Sequence, residues 1–265
     1  MNNRKIAVIG AGNLGLSILN GLIEYEDLSS GNIIATKRNI LPIKHLEKEG
    51  VTITNDNEYA VKNADIIIVT VKPYNILALL GELKPHFDPS RHIVVSAATG
   101  VSVEELRSVL GEDLPVFRAM PNTAADVKQS VTCLCSDNYK AEDMETVMSI
   151  FNIVGTSIVI DENLMESATV LGACGIAYVL RFIRAMIQGG IQIGFDAKTA
   201  NEIVTQTVRG ASELLIQRNQ HPEHEIDKVT TPKGCTIVGL NEMEHNGFSS
   251  SLIKGLVASF EKIEK

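Results

Sequence analysis

Lys5-Ile-Ala-Val-Ile-Gly-Ala-Gly-Asn-Leu-Gly-Leu-Ser-Ile-Leu-Asn-Gly21 is the stretch on which the fold turns. A short β-branched run (Ile6, Val8, Ile9) stops at Gly10, and apolar residues at helical spacing (Leu14, Ile18, Leu19, Leu22) follow. Between them Gly10, Gly12 and Gly15 make G-x-G-x-x-G. Gly10 permits a tight turn, Gly12 lacks the Cβ that would block a pyrophosphate, and Gly15 lets the helix lie close to its strand. The helix start offers unpaired N–H groups and the positive dipole end to phosphates. Strand before and helix after predict a Rossmann-type unit that binds a dinucleotide through Gly10, Gly12, Asn13, Leu14 and Gly15.

Strand and helix signals alternate up to residue 161. Strands are predicted over 32–35, 51–54, 65–71, 92–97, 116–119, 131–134 and 157–160, and helices over 41–48, 75–83 and 141–151. The nearly all-apolar run 65–71 suits a central parallel strand covered on both faces. Ser102-Val-Glu-Glu105 is a capping box for a helix ending near Gly111. The alternation implies a parallel, doubly wound sheet whose later strands are free to reverse direction.

Beyond residue 164 only helical patterns remain. The apolar stretch 168–195 is interrupted by Arg181 and Arg184, which predicts a buried helix rather than a membrane span. Asp196 reads as the N-cap of a helix over 197–218; a polar segment (219–233) and helices over 236–245 and 249–263 follow. The predicted fold is α/β: a Rossmann-type dinucleotide-binding domain over 1–161, then an all-α dimerisation domain over 162–265. The stripe Ala200, Ile203, Val204, Thr207, Ala211, Leu214, Leu215 is more apolar surface than so small a helical domain buries alone. A homodimer or larger homo-oligomer is expected.

The 265 residues carry a net charge of −8, which argues against nucleic acid or an anionic membrane surface as partner. The first strand follows the initiating Met closely, without a signal-peptide core, so a cytoplasmic enzyme is expected. No C-x-x-C occurs: Cys133 and Cys135 share one face of a strand, Cys174 falls in a small-residue turn and Cys235 in a loop. These read as structural thiols, not metal ligands. His221-Pro-Glu-His224 reads as a surface turn lacking a third ligand, and His45, His86, His92 and His245 as helix-surface or loop residues; no metal is expected.

Cofactor choice is read from the end of the second strand. NAD-binding units usually place a carboxylate there for the ribose 2′-OH. Here Thr36-Lys37-Arg38 stand instead, a hydroxyl and two cations suited to a 2′-phosphate. NADPH is therefore preferred, with NADH weaker. Two more strand ends face the same crevice: Thr70-Val71-Lys72-Pro73, and Ala97-Ala98-Thr99, whose small side chains let a flat nicotinamide lie against backbone. Lys72 is an acid or a cofactor contact, and contact is favoured.

Four segments together resemble pyrroline-5-carboxylate reductases: Ile9 to Gly15, Val71-Lys72-Pro73, Arg118-Ala-Met-Pro-Asn-Thr123 and Thr230-Thr-Pro-Lys-Gly-Cys-Thr236. The resemblance implies reduction of 1-pyrroline-5-carboxylate to L-proline by NAD(P)H, the last step of proline biosynthesis. It also implies a helical domain that interlocks in a dimer, often within a decamer. It places Asn57 at the adenosine, and Met120, Pro121 and Asn122 at the junction of cofactor and substrate. Thr231 and Thr236 match the hydroxyl residues that hold the substrate carboxylate, with the backbone N–H groups of Cys235 and Thr236. The chain departs from the family's usual Ser/Thr-Pro-Gly-Gly-x-Thr by carrying Lys233 and Cys235, and the usual Gly-Ser-Gly-Pro-Ala-Tyr is here Gly172 to Tyr178 without the hydroxyl and the proline.

The residues agree with this chemistry on their own terms. A C=N group is easily protonated, and the iminium is already a good electrophile, so hydride transfer needs placement more than a strong acid. Gly234-Cys235-Thr236 opens a helix, and its N–H groups with the Thr236 hydroxyl suit an anion. Thr236 is assigned to carboxylate binding and to relaying a proton near the ring nitrogen; the bland alternative is that Thr231 and Thr236 only cap the helix. The carboxylate loop and the crevice fall in different domains, so the active site is expected where they meet. Alternatives are a reductase of a related cyclic imine and an inactive cofactor-binding homologue.

Overall fold

Strand β1 (Ile6–Ile9) and helix α1 (Asn13–Ile23) open the chain, followed by β2 (Ile33–Thr36), β3 (Thr52–Thr54), α2 (Asn57–Asn63), β4 (Ile66–Val69) and α3 (Pro73–Leu83). Then come β5 (Ile93–Ser96), α4 (Val103–Leu110), β6 (Val116–Met120), β7 (Ser130–Cys135), α5 (Ala141–Ile153) and β8 (Gly155–Val159). A computed structural model describes residues 4–137 and 139–263. Its strands form one sheet, ordered β3-β2-β1-β4-β5-β6-β7-β8. Pairing is parallel from β3 through β6, reverses where Arg118 faces Cys135 between β6 and β7, and is parallel again between β7 and β8.

The central strands are buried on both faces, as their unbroken apolar runs require. One face packs Ile6, Val8, Ile66, Ile68 and Phe117 against Ile18 and Leu22 of α1 and Val147 and Phe151 of α5. The other packs Ala7, Ile9, Ile67 and Val69 against Val61 of α2, Ile76 and Leu80 of α3 and Leu106 of α4. Each of the Val, Ile, Leu and Phe side chains among them stabilises the fold by about 1.5–3 kcal/mol. The Ser102–Glu105 capping box forms in full.

Several elements differ from the sequence reading. Residues Leu41–Glu49 coil as a 3-10 helix stopped by Gly50 at φ +93°. Helix α2 went unread because it is short and buries only Ala60 and Val61; Asp56 caps it by accepting the Tyr59 N–H. His92 is not a surface residue but 2% exposed, its Nδ1 accepting the Asp88 N–H and its ring edge-on to Phe87. Burial holds its pKa below the usual histidine range, the Arg91 charge adding to the effect.

The chain divides into two compact units, one reaching Ile176 and the other spanning Ala177–Glu261. After β8 come α6 (Met165–Ala168), a π-helical stretch Thr169–Cys174, and α7 (Gly175–Gln192). Cys174 thus ends a helical stretch rather than sitting in a turn. Met165 and Val170 are buried, so this segment packs within the first unit. The second unit continues with α8 (Ala197–Arg218), α9 (Pro222–Val229), α10 (Cys235–His245) and α11 (Phe248–Ile263). Asp196 caps α8 by accepting from Lys198 and Thr199 N–H. His221-Pro-Glu-His224 is the start of α9, not a loop turn: the His221 Nδ1 accepts the Glu223 N–H and Pro222 takes the first helical position. Cys235 is the first residue of α10 rather than a loop residue.

Of the stretch 168–195, expected to be buried, only Thr169 and Val170 are buried within one chain. Helix α7 has no buried residue, and Leu180 and Ile193 are 58% and 79% exposed. The stretch Glu162–Gln192 is long and apolar enough, by composition, to cross a membrane. Inside the second unit Tyr178 and Ser259 share a hydrogen bond of 2.5 Å, and Phe182 packs on Phe248. The internal core is otherwise thin: Ala200 and Val204 of α8 are buried, while Ile203 and Ile216 stand 47% and 73% exposed.

Candidate active site

The glycine turn forms as its residues dictate. Gly10 lies at φ +96°, and a Cβ there would come within 2.8 Å of Val71 Cγ1. The Gly10 and Ala11 N–H groups donate to Thr36 O at 3.1 and 2.8 Å, and Thr70 Oγ1 donates to Gly10 O at 2.8 Å. The turn is thereby tied to the ends of β2 and β4. Above Gly12 the space is open, the nearest atom to an added Cβ being Gly10 O at 3.8 Å. Helix α1 starts at Asn13 with no side-chain cap, so its leading N–H groups face no side-chain acceptor. Such a cradle fits an anion.

The turn opens onto a crevice of about 990 Å³ at the carboxyl ends of the strands. Gly10, Gly12, Asn13 and Leu14 line it from the turn, Thr36, Lys37 and Arg38 from the end of β2, and Asn57 from the start of α2. Thr70, Val71, Lys72 and Pro73 line it beyond β4, and Ala97, Ala98 and Thr99 beyond β5. Gly15 lies beneath, where a Cβ would sit 2.6 Å from Thr70 Oγ1. The buried Thr36 hydroxyl donates to Asn57 Oδ1 at 2.6 Å. That bond occupies the amide oxygen and leaves the Asn57 NH₂ to face a ligand. Lys37, Arg38 and Lys72 make no ion pair among the described residues.

Met120, Pro121 and Asn122 are buried and do not line the crevice. Met120 reaches it through Thr99, whose Oγ1 lies 4.0 Å from the sulfur. The Asn122 amide is spent inside the protein, donating to Gly172 O at 3.1 Å and accepting the Ala124 N–H at 3.0 Å. It thereby fixes Thr123, which does line the crevice. Nearby Arg118, 4% exposed, donates to Glu162 at 3.0 Å and Glu166 at 2.7 Å. Burial opposes its charge, yet the two carboxylates hold its pKa above the ordinary arginine value.

In the second unit the loop before α10 is built around a left-handed residue. Lys233 sits at φ +61°, and the Gly234 N–H donates to Thr231 O at 2.9 Å. A Cβ on Gly234 would meet Thr231 Oγ1 at 2.6 Å. Gly234 is the N-cap of α10, with no side chain on the leading N–H groups. Neither the Thr231 nor the Thr236 hydroxyl has a partner among the described residues, so neither acts as a helix cap.

A family model described as "Pyrroline-5-carboxylate reductase dimerisation" matches residues 162–265, and one described as "NADP oxidoreductase coenzyme F420-dependent" matches residues 5–100. Pyrroline-5-carboxylate reductase 2 of Dictyostelium discoideum is 41% identical over all of this chain and 93% of its own length. The chain belongs to the pyrroline-5-carboxylate reductase family. Pyrroline-5-carboxylate reductase 1 of the same organism is 47% identical over 97% of the chain, which spans about half (49%) of that relative's length. The crystal structure of Plasmodium falciparum pyrroline carboxylate reductase, with NADP bound, superposes with a TM-score of 0.90 at 27% identity and covers 99% of this chain and 98% of its own.

Lys233 holds a conformation in which glycine is at ease and a side chain costs about 1 kcal/mol. The sequence reading also left out part of the crevice. Asn39, Thr123 and one face of α3 (Asn75, Ala78, Leu79, Glu82) line it. The signal was present as i, i+3, i+4, i+7 spacing directly after a strand end.

Proposed function

We propose that the chain reduces 1-pyrroline-5-carboxylate to L-proline with NADPH, in preference to NADH. The observation that carries this is one crevice, in a chain of this family, holding both an uncapped glycine turn and Lys37 and Arg38, which make no ion pair among the described residues. When bound, NADPH supplies the hydride. Gly10, Gly12, Asn13 and Leu14 cradle its pyrophosphate, Gly15 sets the turn, and Lys37 and Arg38 neutralise the 2′-phosphate. Thr36 holds the Asn57 amide toward the ribose. The loops Thr70 to Pro73 and Ala97 to Thr99 flank the nicotinamide, with Met120, Pro121 and Asn122 as the frame behind Thr99 and Thr123.

The substrate carboxylate is held by the Thr231 hydroxyl and the leading N–H groups of Cys235 and Thr236, with Gly234 shaping the turn that presents them. The Thr236 hydroxyl also steadies the ring nitrogen and its proton. Because the iminium is already electrophilic, orientation supplies most of the acceleration. We read residues 162–265 as the substrate and dimerisation part of a homo-oligomer, with a second copy covering the apolar helices. Four unpaired cysteines suit a cytoplasmic setting.

The test is NADPH oxidation followed with five- and six-membered cyclic imino acids. Turnover of the five-membered acid is expected; turnover of the six-membered acid alone moves the reading to a related imine, and turnover of neither removes it. Thr236→Ala should lower kcat/KM on the order of tenfold or more while leaving NADPH affinity unchanged. Unchanged kinetics would take Thr236 out of the site.

A further inference from the structure

Residues 97–102 join β5 to α4, and the first three of them line the crevice. At the β5 end the Ala97 N–H donates to Val69 O at 2.9 Å and the Ala98 N–H to Ser96 Oγ at 3.3 Å. Gly100 turns the chain at φ +71°, with no atom within 4 Å of where a Cβ would stand. The far end of the loop is fastened by a residue distant in sequence. The Val103 N–H, first of α4, donates to Glu162 Oε1 at 2.8 Å. The same oxygen accepts from Arg118 Nη1 at 3.0 Å. The capping box at Ser102 and Glu105 does not use the Val103 N–H, and a carboxylate placed there also meets the positive end of the helix.

Arg118 is 4% exposed and belongs to β6, whose Met120 sulfur lies 4.0 Å from Thr99 Oγ1. Val103, Met120 and Met165 share one buried apolar cluster beside these charges. One carboxylate oxygen therefore joins the start of α4, the strand β6 and the chain that follows β8. Charge-assisted bonds to a buried guanidinium are short and directional, so they fix where that oxygen stands. We propose that Glu162 is a positioning residue for hydride transfer: through the Val103 N–H it sets the loop against which the nicotinamide lies. Glu162 does not itself line the crevice. Glu166 accepts from Arg118 Nη2 at 2.7 Å and makes no bond to the loop or to α4 among the described residues. It shares the Arg118 charge without touching the loop.

This inference rests on the cofactor reading, and the experiment separates the two. Amide hydrogen exchange is followed on the cofactor-free chain and NADPH affinity by fluorescence titration. Turnover is measured with NADPH carrying hydrogen or deuterium at the transferred position. Glu162→Gln keeps an acceptor and loses the charge, whereas Glu162→Ala loses both. In Glu162→Ala the Val103 amide should exchange on the order of tenfold faster. Its kcat should fall on the order of tenfold, with a larger deuterium effect, because a loosened ring makes hydride transfer the slow step. The Kd for NADPH should stay within about twofold, since the glycine turn and the two cations are untouched. Glu162→Gln should fall between wild type and Glu162→Ala, and it decides the matter should Glu162→Ala fail to fold. Glu166→Gln should leave Val103 exchange, kcat and the deuterium effect at wild-type values. Wild-type turnover and deuterium effect in the Glu162 variants, or equal losses at Glu162 and Glu166, overturn the assignment while leaving the cofactor reading intact. Failure of the wild-type chain to bind NADPH overturns both.

Discussion

The two cations at Lys37 and Arg38 are ordinary surface residues by composition and acquire a role by position. They follow β2, whose last residue accepts the Gly10 and Ala11 N–H groups and so sets the distance between the glycine turn and the cations. Replacing both by Ala should raise the Kd for NADPH on the order of tenfold or more and that for NADH less than threefold. The NADPH loss should shrink as salt rises, because exposed charges are screened within about 10 Å at 0.1 M. Equal losses for both cofactors would mean that this turn does not read the 2′-phosphate. The thiols offer a contrast: burial pushes Cys135 up to about 12, with Glu162 adding to the effect, which leaves it inert rather than catalytic.

Elements meet at contacts that tolerate no added atom. At Gly15 the α1 backbone approaches Gly10 O, 2.8 Å from where a Cβ would stand, and Thr70 Oγ1 is nearer still. Gly15→Ala should cost about 1–3 kcal/mol of stability and weaken NADPH binding, since the turn and helix must move apart. A thermal midpoint and a Kd equal to the wild type would contradict this. At the other end of β4, far along the strand from the crevice, Asp65 accepts the Lys5 N–H and the Arg91 Nε, each at 2.8 Å. Burial works against its charge, but these two partners prevail and hold the carboxyl below the usual aspartate value. Its stabilisation is therefore present above the unfolded value near 4 and is lost as pH falls through the lower folded value. Asp65→Asn should lose about 1 kcal/mol at pH 7, allowing for partial exposure. Its urea midpoint should then fall less steeply than the wild type's between pH 5 and pH 3, with NADPH affinity unchanged.

The whole chain is asymmetric in how it is stabilised. The first unit has two apolar layers on a buried sheet, whereas α7, α10 and α11 of the second contribute no buried residue. In the homo-oligomer proposed above, a second copy covers that surface and stabilises the helical unit. Sedimentation should show a dimer or larger species, and Leu180→Glu, at a position 58% exposed in the single chain, should shift it toward monomer with loss of thermal stability. An unchanged sedimentation coefficient would remove this face of α7 from the contact.

Local chemistry made much of this protein readable without coordinates. Glycines at 10, 12 and 15 between an apolar run and a helical pattern admit one backbone solution, and Ser102 with Glu105, or Asp196 ahead of Thr199, name their own helix starts. The unread parts depend on distant residues. Helix α2 owes its place to packing of Ala60 and Val61, and α9 looks polar apart from Ile226 and Val229. That Asn122 spends its amide on Gly172, that Thr36 turns Asn57 outward, and that Glu82 shares a crevice with Arg38 are facts about residues 20 to 50 positions apart. No periodicity carries that information, because a side chain's partner is set by how strands and helices stack. Turn geometry and amphipathic spacing are properties of neighbouring residues and were legible in the chain; the pairing of polar groups across the crevice exists only once the sheet has formed.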